Sequence, residues 1–79
     1  MKNKKTILIT GVAGLIGSRL ADWIVENKPE YNVVGIDDLS GGFIENVHPN
    51  VKFYQLDLVD GAINDVFNAH KIDYVYHFA

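Results

Sequence analysis

Two rhythms of apolar residues alternate along the chain. Residues 5–10, KTILIT, form a short β-branched run closed by Gly11, the pattern of a buried strand. From Gly14 the period lengthens. Ile16, Leu20, Trp23 and Ile24 recur at i, i+4, i+7 and i+8, the apolar stripe of an amphipathic helix. Asn27 and Lys28 close that helix, and Pro29 forbids its continuation. Three more strand-like runs follow: YNVVGID at 31–37, VKFYQLD at 51–57 and DYVYHFA at 73–79. Between the second and third strands, DLSGGFIENVHPN at 38–50 carries a glycine pair and a proline, which predicts a loop with one helical turn over 43–47. Asp60 is placed to cap a second helix with Ile63, Val66, Phe67 and His70 on one side. Tyrosines 31, 54, 74 and 76 take half-buried strand positions.

Strands separated by helices imply right-handed crossovers and a parallel sheet, here in the order 3-2-1-4 with two main helices. The strands end in Thr10, Asp37, Asp57 and Ala79. In an open parallel sheet ligands bind beyond the carboxyl ends of the strands, so these residues gather on one edge. Strand 4 is left with an unpaired side, a template for another chain, which predicts a homo-oligomer through that strand.

The sequence has 79 residues, enough for at most one domain. A chain of this size buries only roughly 60% of its unfolded surface and is marginal alone. The formal net charge of -3 argues against a non-specific nucleic-acid surface. Zero cysteines exclude a disulfide scaffold and a thiolate metal site, and fit a cytoplasmic protein. Three widely spaced histidines make no metal site either; His48 and His70 read as surface or helix-flank residues. The opening MKNKKTILITGVAGLIGSRLA mimics a secretory signal, but its regular glycines, the absence of a small-x-small cleavage site and Arg19 weigh against one. No stretch reaches the roughly 18 uninterrupted apolar residues of a membrane span.

The chemistry concentrates in TGVAGLIG, residues 10–17. Gly11, Gly14 and Gly17 stand between a strand and a helix, and an acid, Asp37, follows 20 residues after the last of them. That context fits a dinucleotide site better than a glycine-punctuated turn. A pyrophosphate sits well against the free N–H groups and positive dipole end of a first helix. Gly11 would allow a sharp turn, Gly14 the approach of the phosphates, and Gly17 close packing of the helix. Asp37 would accept hydrogen bonds from ribose hydroxyls and repel a 2′-phosphate, favouring NAD over NADP; the alternative is a loop-capping aspartate. Asp57 either faces the ligand edge or caps the next turn, and Phe78 either faces that edge or belongs to the core. His77, on a buried-looking strand, reads as a core histidine.

The chain resembles the extended short-chain dehydrogenase/reductase family over essentially its full length. TGVAGLIG resembles that family's T-G-x-x-G-x-x-G fingerprint. VVGIDDLSGG resembles the segment after its second strand, especially in NAD-dependent sugar-nucleotide epimerases and dehydratases of the UDP-glucose 4-epimerase type. YQLDL and VYHFA resemble the ends of its third and fourth strands. The resemblance implies a Rossmann-type sheet, the truncated half of a doubly wound fold, with residues 1–79 as the amino-terminal part of an NAD-binding domain. It implies that the backbone around Ala13, Leu15 and Ile16 lines the pyrophosphate. It puts Asp37 on the adenine ribose with Asp38 and Ser40 nearby, Asp57 and Leu58 at the adenine, and Phe78 and Ala79 toward the nicotinamide. Asp38 departs from the asparagine often seen there, a change that adds a further carboxylate against NADP.

The family's chemistry needs a tyrosine with a lysine four residues on, the lysine lowering the pKa of the tyrosine. No such pair occurs here: Tyr31 is followed at that distance by Gly35, Tyr54 by Leu58 and Tyr74 by Phe78, and the sequence stops before the position for Tyr76. No catalytic residue is therefore assigned, and a sugar nucleotide is a partner only of the complete enzyme. Two readings follow. The chain is the NAD-binding portion of a sugar-nucleotide epimerase or dehydratase, whose complete form removes and returns a hydride at the sugar ring. Alternatively, it is a non-catalytic nucleotide-binding or self-assembling module derived from that family.

Overall fold

Every strand and helix read from the sequence is present, in the same order. The computed structural model describes residues 4–79; Met1–Asn3, the start of the signal-like stretch, lie outside the described residues. The elements are β1 (Lys5–Thr10), α1 (Leu15–Asn27), β2 (Tyr31–Asp37), β3 (Lys52–Gln55), α2 (Ile63–Ala69) and β4 (Ile72–His77), with a single 3-10 turn at Ile44–Asn46. No helix among the described residues is long and apolar enough to cross a membrane.

The four strands pair in parallel in the order β3-β2-β1-β4. β1 lies between β2 and β4, with Lys5 opposite Tyr31 and Thr10 opposite Ile36. That central place explains its unbroken apolar run, since both of its faces are covered. Ile7 and Ile9 point to one side and join Val12, Val33, Val51 and the Ala21 and Ile24 side chains of α1. Leu8 points to the other and joins Val34, Ile36 and Val66 of α2. Each such side chain, fully buried, contributes about 1.5–3 kcal/mol of transfer free energy, so the two small cores flanking β1 carry the fold.

Several details depart from the sequence reading. The inward face of α1 is Gly17, Ser18, Ala21 and Ile24. Ile16 is 66% and Trp23 53% exposed. Small residues let the helix axis come close to the strand-helix turn, and a hydrophobicity pattern does not register small residues as an interface. β3 stops at Gln55, and only residues 52–55 face β2 before that strand ends at Asp37. The Asp60 carboxylate accepts the Ala62 N–H (2.9 Å), so it caps the turn before α2 while Ala62 itself holds the cap position. On α2 only Val66 is buried, and Phe67 is exposed.

β4 forms the end of the sheet, and its Tyr74, Val75 and Tyr76 are about half exposed. His77 is exposed rather than a core residue, because that part of the sheet is uncovered. Its ring Nδ1 lies 2.6 Å from the Thr10 hydroxyl. The pairing of β4 with β1 shifts register between Thr6 and Ile7, and there the Asp73 carboxylate accepts the Thr6 N–H (2.8 Å).

Candidate functional site

Beyond the carboxyl ends of the strands, the three glycines differ in why they are bare. Gly11 has φ +72°, the left-handed region that a side chain disfavours. A Cβ there would also lie 2.9 Å from the Phe78 carbonyl carbon, at the end of β4. At Gly17 a Cβ would run into the Gly11 carbonyl and sit 3.2 Å from the Val12 Cα, so bareness there sets the closeness of α1 to the turn. Gly14 caps α1 with φ −78° and ψ 174°, dihedrals open to any residue. A Cβ on it would meet only the Gly11 carbonyl oxygen, at 3.3 Å. The fold has little need of a glycine at 14, yet that residue lines a cleft.

The amino end of α1 carries no side-chain cap. The first intrahelical bond is Ser18 N–H to the Gly14 carbonyl (3.0 Å). Among the described residues no acceptor takes the N–H of Leu15, Ile16 or Gly17. These are the free donors that every helix start leaves over, backed by the positive end of the helix dipole. Ala13 differs from them. It is fully buried, and its N–H donates to Asp37 Oδ2 (2.9 Å).

Asp37 ends β2 and is only 9% exposed. Its second oxygen accepts the Leu39 N–H (2.8 Å). Leu39 has φ 65°, a left-handed conformation that costs a side-chain-bearing residue about 1–2 kcal/mol. A hydrogen bond to a charged carboxylate contributes about 1.5–3 kcal/mol and offsets that strain. The two bonds fix the Asp37 carboxylate against the glycine turn. Asp38 makes a second turn of the same kind, accepting both the backbone N–H (2.9 Å) and the hydroxyl (2.7 Å) of Ser40. The Ser40 backbone N–H, then its hydroxyl, hold the Asp38 carboxyl below the usual aspartate range.

Gly11, Gly14, Ile36, Asp37, Asp38, Ser40, Gly41, Leu56, Asp57, Leu58, Phe78 and Ala79 enclose an open cleft of about 370 Å³. Nine of the residues singled out from the sequence therefore share one cavity. Ala13 and Gly17 are buried behind it, and Leu15 and Ile16 stand with exposed side chains at the helix start. Asp57 is exposed in the cleft wall while its Oδ1 accepts the Val59 N–H (3.0 Å), so a capping role and a free face coexist. Sequence reasoning missed Ile36 and Leu56, apolar neighbours of Asp37 and Asp57, and Gly41. It also missed Gly42 and Asn46, which lie against Ala13. Among the described residues no group of three His, Cys, Asp or Glu is arranged to hold a metal ion.

Comparison with known proteins gives one consistent result. The model of the NAD dependent epimerase/dehydratase family matches residues 7–79. The UDP-glucose 4-epimerase of Streptococcus mutans is 45% identical over 75 residues, covering 92% of this chain and 22% of that protein. Among solved structures, UDP-glucose 4-epimerase from Thermotoga maritima with UDP-glucose superposes with a TM-score of 0.87 at 40% identity, over 94% of this chain and 24% of that one. The dTDP-glucose 4,6-dehydratase of Bacillus anthracis in complex with NAD gives 0.87 at 28% identity, over 95% and 26%. The chain thus spans about a quarter of the length of these relatives.

Proposed function

The chain belongs to the NAD dependent epimerase/dehydratase family, and from that membership we propose that its cleft holds NAD and forms the cofactor-binding portion of a sugar-nucleotide epimerase or dehydratase. The observation that carries the reading is the meeting of free Leu15, Ile16 and Gly17 N–H groups with a fixed Asp37 carboxylate around a bare Gly14. The donors suit a pyrophosphate and the acid suits the two hydroxyls of a ribose. In this reading Gly14 leaves room for the phosphates, and Asp37, with Asp38 and Ser40 beside it, holds the adenine-side ribose. Asp57 and Leu58 border the adenine, and Phe78 and Ala79 close the cleft toward the nicotinamide. NAD, when bound, supplies a hydride acceptor that returns the hydride to the sugar ring. The residues of this chain bind and orient it; the sugar-nucleotide site and the proton-transferring tyrosine-lysine pair belong to the rest of such an enzyme. Residues 1–79 are accordingly read as the amino-terminal part of one NAD-binding domain, acting inside the cell.

Titration with NAD followed by amide NMR tests this. Shifts should concentrate at residues 11–17, 37–41 and 56–58, and NADP should bind more weakly because two carboxylates, Asp37 and Asp38, face its 2′-phosphate. A chain that gives no response to millimolar NAD, or shifts confined to the opposite end of the sheet, would refute the assignment.

The exposed side of β4 supports a second proposal, self-association of the chain through that strand. Among the described residues its outer N–H and C=O groups meet no partner strand, and a strand related to its copy by a two-fold axis is self-complementary. Sedimentation equilibrium at high concentration checks it, and a persistent monomer would exclude it.

A further inference from the structure

Ala13 lies at the centre of the glycine turn, completely buried, and its carbonyl receives more attention than a turn needs. The Asn46 amide nitrogen donates to it at 3.0 Å, and the Phe43 backbone N–H at 3.2 Å. Gly42 presses on it directly: a Cβ at 42 would fall 2.6 Å from the Ala13 carbonyl carbon and 2.9 Å from the Gly14 nitrogen. All three contacts come from the loop after β2. That loop also supplies Asp38, Ser40 and Gly41 to the cleft wall. One carbonyl therefore joins the segment bearing the free N–H groups of α1 to the segment bearing the acids.

We propose that Asn46 is a positioning residue that fixes the spacing between the anion-binding turn and the ribose-binding loop. It does not line the cleft and acts through the Ala13 carbonyl. The proposal rests on the cofactor reading above. Its logic is that of preorganisation. A ligand spanning both halves gains from their fixed separation, whereas a ligand filling one half does not. Asn46 is exposed, and its main-chain neighbours retain the Phe43 bond, so its loss should loosen the joint without unfolding the chain.

The test compares ADP with adenosine on the full chain, by amide NMR titration of the wild type, Asn46→Ala and Asn46→Asp. Asn46→Asp keeps the shape and removes the donor. Both variants should weaken ADP about fivefold to tenfold, the equivalent of one side-chain hydrogen bond. Adenosine should stay within about twofold of wild type by the same reasoning. Without any ligand, amide exchange at Phe43 and Ala13 should quicken in both variants. Equal losses for ADP and adenosine would reduce Asn46 to a general support of the loop and overturn the proposal. So would unchanged ADP affinity or unchanged exchange. If the wild type binds neither ligand, the cofactor reading fails, while the exchange measurement still decides whether Asn46 holds the joint.

Discussion

Replacing Gly14 by alanine separates what the fold needs from what a ligand needs. Alanine at a helix cap is less favourable than glycine by about 0.5–1 kcal/mol. Against this, alanine at ordinary dihedrals stabilises by about 0.4–1 kcal/mol, by narrowing the unfolded ensemble. The added methyl meets one atom, the Gly11 carbonyl oxygen at 3.3 Å, which must yield by a few tenths of an ångström. The sum is near zero, so the melting temperature should move by less than about 4 °C, the lower limit of the roughly 4–8 °C that 1 kcal/mol produces in a chain of this size. Gly17→Ala is the contrast. It gains about 1 kcal/mol of helix propensity but forces a methyl into the Gly11 carbonyl, main chain that cannot turn aside. Overpacking against fixed main chain belongs at the upper end of about 1–3 kcal/mol, which leaves a net loss of about 2 kcal/mol, so Gly17→Ala should melt clearly lower. Binding should rank the other way. The Gly14 methyl occupies cleft space beside the free N–H groups, and NAD affinity should fall about tenfold or more, the loss of roughly 1.4 kcal/mol of contact. Thermal unfolding by circular dichroism and NMR titration of both variants give the two rankings. A Gly14→Ala chain that binds NAD like wild type would refute the argument from bare backbone, and one that melts with Gly17→Ala would make Gly14 structural.

Asp37→Asn removes a charge that accepts two backbone N–H groups and turns an amide NH₂ toward one of them. It should lower stability by about 2 kcal/mol and reduce any preference for NAD over NADP, read by thermal melts and paired titrations. The Asp38 carboxyl should titrate below the usual aspartate range in an NMR pH series. A depressed carboxyl stabilises the folded chain above its unfolded pKa, and that contribution fades as pH falls through the folded value. Ser40→Ala should move the midpoint only part of the way back, because the backbone N–H of residue 40 is the larger cause and survives the substitution.

The fold was readable because its signals are independent and agree. β1 and β2 were bounded by Gly11 and Asp37, and the crossover rule then left one strand order. The cleft was readable because parallel strands deliver their last residues to one edge, so the ends of β1, β2, β3 and β4 had to meet there. What stayed hidden was contact made by small or main-chain groups. The inward face of α1 is built on Gly17, Ser18 and Ala21, which carry little hydrophobic signal. Gly42 reads as half of a flexible pair, yet it is held against Ala13. Asn46 sits in a polar loop with no periodicity to mark it, and only three-dimensional proximity reveals its bond across 33 residues. His77 was misread as buried because a strand pattern does not say whether the sheet continues beside it.

The last strand is pinned at both extremities, by Asp73 on the Thr6 N–H at one and by His77 and the Phe78 N–H on Thr10 at the other. An outermost strand with one neighbour is the part of a sheet freest to slip, and a slip of one residue would turn every side chain to the wrong face. Here such slippage would also drag Phe78 and Ala79 off Gly11 and open one wall of the cavity. The two pins thus make the alignment of a single ladder a condition for the shape of the whole pocket.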